Sequence, residues 1–430
     1  MALKKLKAMN FKCFKDIEIN LNKFNILIGA NAAGKSSFVQ ILDFLRNIIK
    51  HDLKNAISMQ GGVENLKNIN LSSDKPLKIE VVFSPSNYKK VEKEYEDHLI
   101  CRQSQEILYR FSLDIKSDDD IEILKDELIV EFDYIDIDKN NHNILDEFGS
   151  MILSIRNNKG KLSFDIDNNN LDTSRIQKHF DIEENFQLLD NRFSSILEQD
   201  ETDEKRLILE TPYAHLIEPL IWETFTKLSI FNINTNLPKK ATPISGKAEL
   251  EEDGSNLAIV LRKILENKDK ERKFINLVSD ILPFIEELEI EKYADKSILF
   301  KAKEDFVDDK YMPASLLSDG TINIISLIIA LYFEKKELIV FEEPERNLHP
   351  SLISKLVEMF KDASNTKQII ITTHNPEIIK FVDFKNLFLI KRDQEGFSVI
   401  EKPTEKEEIK MFLKNNMGLE QLFIQNLLEV

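Results

Sequence analysis

The stretch "NILIGANAAGKSSFVQIL", residues 25–42, decides how the rest of the chain is read. An apolar run leads into Gly29, and Gly34-Lys35-Ser36 leads into apolar positions Phe38, Ile41, Leu42, Leu45 and Ile49 at helical spacing. The reading is a strand, a tight loop and a helix. Residues 29–36 fit G-x-x-x-x-G-K-[ST] in full. A loop that wraps a diphosphate must turn its backbone N–H groups inward, and side chains at the tight positions would obstruct that approach. On this reading Gly29 and Gly34 let the backbone come close to phosphate. Lys35 reaches the β- and γ-phosphates, Ser36 offers a hydroxyl to Mg²⁺, and the helix N-terminus faces the anion. The implied ligand is ATP with Mg²⁺.

A phosphate loop needs carboxylates for metal and water. "ELIVFEEPERNLHP", residues 337–350, supplies them at the end of an apolar strand. Successive side chains of a strand point to opposite faces, so Glu342 is assigned to Mg²⁺ and Glu343 to the attacking water, as general base or to position it. Upstream, "LLSDGTINIISLIIAL" has Ser318 as an N-cap and Asp319-Gly320 opening an apolar helix, another anion-binding end. Downstream, "QIIITTHNPEII" is a strand ending at His374, which can contact a γ-phosphate.

The remainder sets bounds. At 430 residues the chain is long enough for about two to three domains. With 42% hydrophobic and 31% charged residues it reads as an ordinary globular protein. A net charge of −17 gives no bulk attraction to nucleic acid, although a local basic groove is left open. Two cysteines, Cys13 and Cys101, exclude zinc fingers and disulfide frameworks and make a reducing cytoplasm the default. The N-terminus lacks the apolar core of a signal peptide. The most apolar stretch, from Ile322, is 12 residues long and too short to span a bilayer, so no membrane association is expected.

Along the chain, residues 2–29 read as two or three strands, and 77–167 as several strands interrupted by a mixed-charge helix at about 87–107. Residues 175–228 read as helical and include Trp222, a core or interface residue. A loop with Pro238 and Pro243 marks a boundary. Beyond about 250, helices at 255–266, 272–284, 320–333, 350–362 and 375–381 alternate with strands at 286–303, 338–342, 368–373, 386–390 and 397–400. That alternation implies parallel sheet packed by helices. No repeat or long heptad stretch is visible, so neither a solenoid nor a coiled-coil arm is expected.

The motif order, P-loop, Leu317 to Gly320, Phe341 to Pro344, then Thr373-His374, resembles the ABC-type ATPase heads of the SMC and RecF-like superfamily. More narrowly, "LSDGT", "EEPERNLHP" and "TTHNPE" resemble the OLD-like AAA ATPases, found in OLD nucleases and in bacterial antiphage systems such as Septu and PARIS. The opening "LKAMNFKCFKDIEINLNKFNILIGANAAGKSS" and "DGSNLAIVLRKIL" from Asp253 are similar to the same branch, and the likeness covers roughly residues 1–85 and 240–400.

The resemblance implies nucleotide on Asn31, Ala33, Gly34, Lys35, Ser36 and Ser37, Mg²⁺ on Ser36 and Glu342, catalysis on Glu343, and a γ-phosphate switch at His374. It implies that Ser318, Asp319 and Gly320 form a signature motif acting in trans on the nucleotide of a second copy, hence a homodimer through the ATP sites, with higher oligomers open. Glu342 stands where many relatives have Asp, and Gln60 is the candidate for a metal-sensing glutamine. Past Val399 only about thirty residues follow, too few for a nuclease domain, so a separate effector, nuclease or toxin, is expected as partner.

The expected fold is α/β, an ABC-type P-loop ATPase head with a mixed sheet core, a β-rich lobe and an inserted α+β region. Its parts are residues 1–85, an insertion at 86–235, and 236–430. The expected function is an ATPase that dimerises around ATP as sensor or scaffold of an antiphage system. The alternatives are a RecF-like DNA-binding ATPase in repair, with nucleic acid as partner, and a nucleotide-binding scaffold with little turnover.

Overall fold

The structure, a computed structural model, describes residues 2–72, 74–84, 89–117, 120–168, 170–172, 174–176, 205–211, 219–294, 296–307 and 310–403. These divide into two units. One comprises Met1–Asn22, Gln40–Thr226 and Asp393–Val399; the other comprises Lys23–Val39, Lys227–Arg392 and the described residues from Ile400 onward.

The first unit is built on an eight-stranded antiparallel sheet. Strands β1 (Ala2–Phe11) and β2 (Phe14–Asn20) pair as a hairpin, and β4 (Leu77–Ser84) joins the far side of β1. The sheet continues through β6 (His98–Ser117), β7 (Asp120–Asp138), β8 (Ile144–Asn158) and β9 (Lys161–Asp167), with β5 (Lys89–Tyr95) paired to β6. The helix expected at about 87–107 is therefore β5 and the start of β6. The polar residues that suggested it are satisfied across strands. His98 Nδ1 lies 2.8 Å from Asp136, and buried Arg102 covers the Phe132 ring at 4.1 Å. Such pairing overrides local propensity.

On one row of this sheet Lys7 bridges Glu18 and Glu80, and Glu127 is held by Arg110 at 2.6 Å and Arg156 at 2.9 Å. These cations are engaged by carboxylates of the same unit. Deeper, Asp126 accepts hydrogen bonds from Tyr109 Oη (2.9 Å), Asn157 Nδ2 (3.2 Å) and the Ile208 N–H (2.7 Å).

Helix α1 (Lys35–Lys50) follows the loop after β3 (Phe24–Ile28), and α2 (Leu53–Met59) and α3 (Val63–Leu66) follow in turn. Of the region 175–228, expected as helical, residues 174–176 and α4 (Pro219–Thr226) are helical, 205–211 hold only the short 3-10 turn Ile208–Glu210, and 177–204 and 212–218 lie outside the described residues. Trp222 is 37% exposed, so it lies on the surface and not in the core.

The second unit carries a parallel sheet in the order β10 (Ser229–Phe231), β15 (Leu338–Glu342), β16 (Gln368–Thr373), β3 and β17 (Leu387–Arg392); β18 (Ser398–Glu401) follows in the chain. Every residue of β3 and β16 is buried, as expected when helices cover both faces of a parallel sheet. Helix α7 (Asp319–Tyr332) is buried throughout 321–331, which explains the most apolar stretch as a core helix. No helix among the described residues is long and apolar enough to cross a membrane.

Around α7 pack α5 (Leu257–Leu265), α6 (Lys268–Ile281) and α8 (Ile353–Ala363) in one apolar core that includes Ile26, Phe231, Phe341 and Ile371. A four-stranded antiparallel sheet completes the unit, formed by β11 (Thr242–Pro243), β12 (Ile285–Ala294), β13 (Ser297–Glu304) and β14 (Tyr311–Pro313). The segment 375–381, expected as a helix, is the 3-10 turn Pro376–Phe381.

Candidate functional site

Neighbouring parallel strands end on the same edge of a sheet, and ligands of open α/β sheets bind at that edge. Here Thr373 is in register with Ile28, Glu342 with Thr372, and Phe231 with Phe341. The residues that follow these four strands are therefore brought together: Gly29 and the P-loop after β3, Glu343 after β15, His374 after β16 and Asn232 after β10. Three of the four were expected from sequence; Asn232 was not.

The loop is shaped by backbone, with Ala32 at φ +61° and Gly34 at φ +117°. Gly34 is thus required for conformation. Gly29 has a reason within the fold as well, because a Cβ there would lie 2.2 Å from the Ile390 carbonyl oxygen on the neighbouring strand. Arg392 Nε donates to the Ala32 carbonyl at 3.1 Å and ties the loop from the β17 side. Lys35 is buried, and its ammonium donates to the carbonyls of Gly29 (2.8 Å) and Ala30 (2.9 Å). Burial pulls the Lys35 pKa below its ordinary value, while the carboxylates of Glu343, Glu345 and Glu342 pull the other way. Asn31 and Ser36 are exposed, Ser37 is half-buried, and Ala33 is buried.

The two carboxylates are separated by a turn and not by strand alternation. Glu342 is the last residue of β15 and accepts from Asn232 Nδ2 at 3.3 Å. Glu343 has φ +47°, a left-handed conformation unusual for a side-chain-bearing residue, and its N–H donates to the Thr372 carbonyl at 2.8 Å. Its carboxylate is held from both sides: Oε1 lies 2.8 Å from His374 Nδ1, and Oε2 accepts from Arg346 at 2.8 Å. Burial works against the charge on Glu343, but the Arg346 and His374 hydrogen bonds outweigh it and set its pKa below the ordinary carboxylate value. The acid is ionised at neutral pH.

Ser318 caps α7, its Oγ accepting from the Thr321 N–H at 3.0 Å. Asp319 forms an ion pair with Lys239 at 2.7 Å, which lowers its pKa, and Gly320 leaves room for the Asn347 carbonyl, 2.9 Å from where a Cβ would stand. Asn323, buried on α7, donates to the carbonyls of Pro344 (2.8 Å) and Arg346 (2.9 Å). The helix that Ser318 caps is thereby fixed to the loop that carries Glu343. Among the described residues, no hydrogen bond or ion pair joins Ser318, Asp319 or Gly320 to residues 29–37. Gln60 belongs to the first unit, where it caps α2 and donates from Nε2 to Asp43 at 3.3 Å.

The donor set can be tested against its implied ligand. Ser36 offers a hydroxyl and Glu342 a carboxylate, and no group of three His, Cys, Asp or Glu able to hold a metal occurs among the described residues. Such a set does not make a free-metal cage. It fits Mg²⁺ arriving with a polyphosphate, since Mg²⁺ takes one or two protein oxygens and completes its shell with phosphate and water. A partly desolvated Lys35 beside a loop bent by Gly34 suits the polyphosphate itself.

Residues 24–380 match the family described as "AAA domain, putative AbiEii toxin, Type IV TA system". The chain belongs to that family. The match takes in the P-loop, Ser318 to Gly320, the carboxylates and His374 alike, so the chain is an α/β protein with mixed sheets whose P-loop AAA domain is interrupted by a long inserted segment. No curated protein matches the chain.

Solved structures similar to it include SMC heads. One is "Crystal structure of the SmcHead bound to the C-winged helix domain of ScpA", with TM-score 0.48 and 15% identity over 93% of this chain and 97% of that one. Another is "SMC head domain from Thermotoga maritima", with TM-score 0.41 and 14% identity over 94% and 99%. A third, from Pyrococcus furiosus, is an Smc head with an extended coiled coil bound to the C-terminal domain of ScpA, with TM-score 0.45 and 13% identity over 96% and 99%.

Proposed function

We propose that this chain is an ATP hydrolase whose sites are completed between two copies arranged head to tail. The observation that carries the reading is Glu343. An ionised carboxylate in a left-handed turn, oriented by His374 and Arg346, stands at the same sheet edge as the P-loop. That is the arrangement required of a general base that takes a proton from water during attack on a phosphate. Lys35 and the loop backbone would bind the β- and γ-phosphates, Ser36 and Glu342 would hold Mg²⁺, and Asn31, Ala33, Gly34 and Ser37 would complete the cradle. When bound, Mg²⁺ neutralises charge on the phosphates. Among the described residues Ser318, Asp319 and Gly320 form no hydrogen bond or ion pair with residues 29–37, and we infer that they act on the nucleotide of a second copy.

In the cell we infer a cytoplasmic sensor or scaffold for a separate toxin or nuclease. The family description, which names a putative toxin of a toxin–antitoxin system, supports a place for this chain in a system of that kind. Glu343→Gln tests the chemistry. The variant should bind ATP, lose turnover by about 100-fold or more, and accumulate as an ATP-bound dimer by light scattering. Normal hydrolysis by this variant would remove Glu343 from the mechanism.

A further inference from the structure

A third acid of the same loop, Glu345, takes no part in the chemistry above. It is 6% exposed. Its backbone is held on both sides, since Asn323 grips the carbonyls of Pro344 and Arg346. Its side chain reaches across to the end of β16, where Oε1 accepts a short hydrogen bond from Thr373 Oγ1. Oε2 is buried and has no hydrogen-bond partner among the described residues.

Thr373 is fully buried and stands at a junction. Its Oγ1 accepts the Asn375 N–H at 2.9 Å, its carbonyl accepts the Gly29 N–H at 3.3 Å, and the next residue is His374. Asn375 in turn caps the following 3-10 turn, its Oδ1 accepting from the Glu377 N–H at 2.9 Å. A hydroxyl has one proton to give. By accepting that proton Glu345 leaves the Thr373 lone pairs for Asn375 and so fixes the backbone on both sides of His374. A buried carboxyl oxygen left without a partner costs stability, and an apolar side chain could fill the same space without that cost. The group therefore serves something other than the core.

We propose that Glu345 is a positioning residue that sets the His374 imidazole against Glu343 through the Thr373 hydroxyl. The proposal rests on the hydrolytic reading of Glu343 and adds a residue to it. Glu343, His374 and Lys35 are the charged groups that face Glu345. Burial pushes its pKa up against the Thr373 hydrogen bond, and what the Thr373 hydroxyl needs from this side chain is one acceptor oxygen, which an amide also supplies. Glutamine should then replace it and alanine should not.

The test compares E345A, E345Q, T373V, H374A and the double variant E345A/H374A in the full chain. E345A and T373V should lower kcat by about 10-fold or more with KM for ATP within about 2-fold, as expected for misplacement of a catalytic neighbour. E345Q should recover most of that loss. In the H374A background, E345A should cost less than about 2-fold further, because both changes break one link. A second measurement is independent of turnover. The His374 imidazole resonance, identified by its absence from H374A, should move in E345A and T373V and return in E345Q.

E345Q as slow as E345A, an undiminished E345A effect without His374, or an unmoved His374 resonance in E345A each overturn the proposal. If the wild-type chain does not hydrolyse ATP, the hydrolytic reading falls, and the resonance still decides whether Glu345 positions His374.

Discussion

Asp126 and Glu345 are both buried acids, and they are treated in opposite ways. Asp126, on β7 in the middle of the antiparallel sheet, receives three donors, from Tyr109, Asn157 and Ile208. Glu345, at the edge of the parallel sheet, has one oxygen engaged by Thr373 and the other without a partner. A buried polar group that is fully satisfied holds a structure together, and one that is partly satisfied marks a place where geometry is held at a cost. The left-handed Glu343 and Asn347, at φ +47° and +64°, lie in the same short loop as Glu345. Polar burial at Asp126 therefore secures the fold, while at Glu345 it fits the proposed orienting of a site.

The largest test of this contrast is Asp126→Ala. It leaves the Tyr109 hydroxyl, the Asn157 amide and the Ile208 N–H without their acceptor, and the expected loss of stability is about 3–5 kcal/mol. Denaturant unfolding measures it. ATP turnover per folded molecule should be unchanged; a loss of turnover with stability intact would make Asp126 part of the site and erase the distinction.

The second test uses pH. Burial raises the Asp126 pKa from 3.8 to about 7, against the opposing hydrogen bonds from Ile208, Tyr109 and Asn157. The folded state thus holds a proton that the unfolded state has released, so this group's contribution is fully present below about pH 4 and is lost as pH rises towards 7. The shift corresponds to a change on the order of 4 kcal/mol across that window. Asp126→Asn should remove this slope. Its amide oxygen can still accept from Asn157 and Ile208 while its NH₂ donates to the Tyr109 oxygen. Urea melts at several pH values should show the wild type losing stability relative to the variant between pH 4 and 7; parallel curves would contradict the raised pKa.

How much of this contrast could be read in advance depends on the distance between partners. The P-loop, the N-cap at Ser318 and the buried strands are local patterns, and residues 25–42 and 316–331 displayed them directly. Contacts made across the chain leave no such pattern. Arg392 ties the loop at Ala32 from 360 positions away, and Asn232 meets Glu342 from 110. The same blindness turned β5 and the start of β6 into an expected helix, since the partners of His98 and Arg102 lie on β7. The Glu342-Glu343 pair was legible as chemistry but not as geometry. Strand alternation predicts opposite faces, whereas the strand ends at Glu342 and a turn aims Glu343 at His374.

The smallest expected effect on stability is also the one that separates a cap from a signature. Ser318→Ala removes one capping hydrogen bond from α7 and should cost about 1 kcal/mol. If Ser318 were only a cap, turnover would follow stability and stay near the wild-type value. If it completes the site of a second copy, turnover should fall far more than the melt, as it should in Lys35→Ala for the opposite reason. Mixing the two variants then decides the matter. A mixed head-to-tail dimer contains one site in which both faults meet and one site, with Lys35 from one copy and Ser318 from the other, that is whole. At equal amounts about a quarter of all sites should be whole, and turnover should rise to about that fraction of the wild type from near zero in either variant alone. No gain on mixing, with dimers present by light scattering, would place Ser318 with the structural polar groups of the first unit and leave Glu343 without a partner in trans.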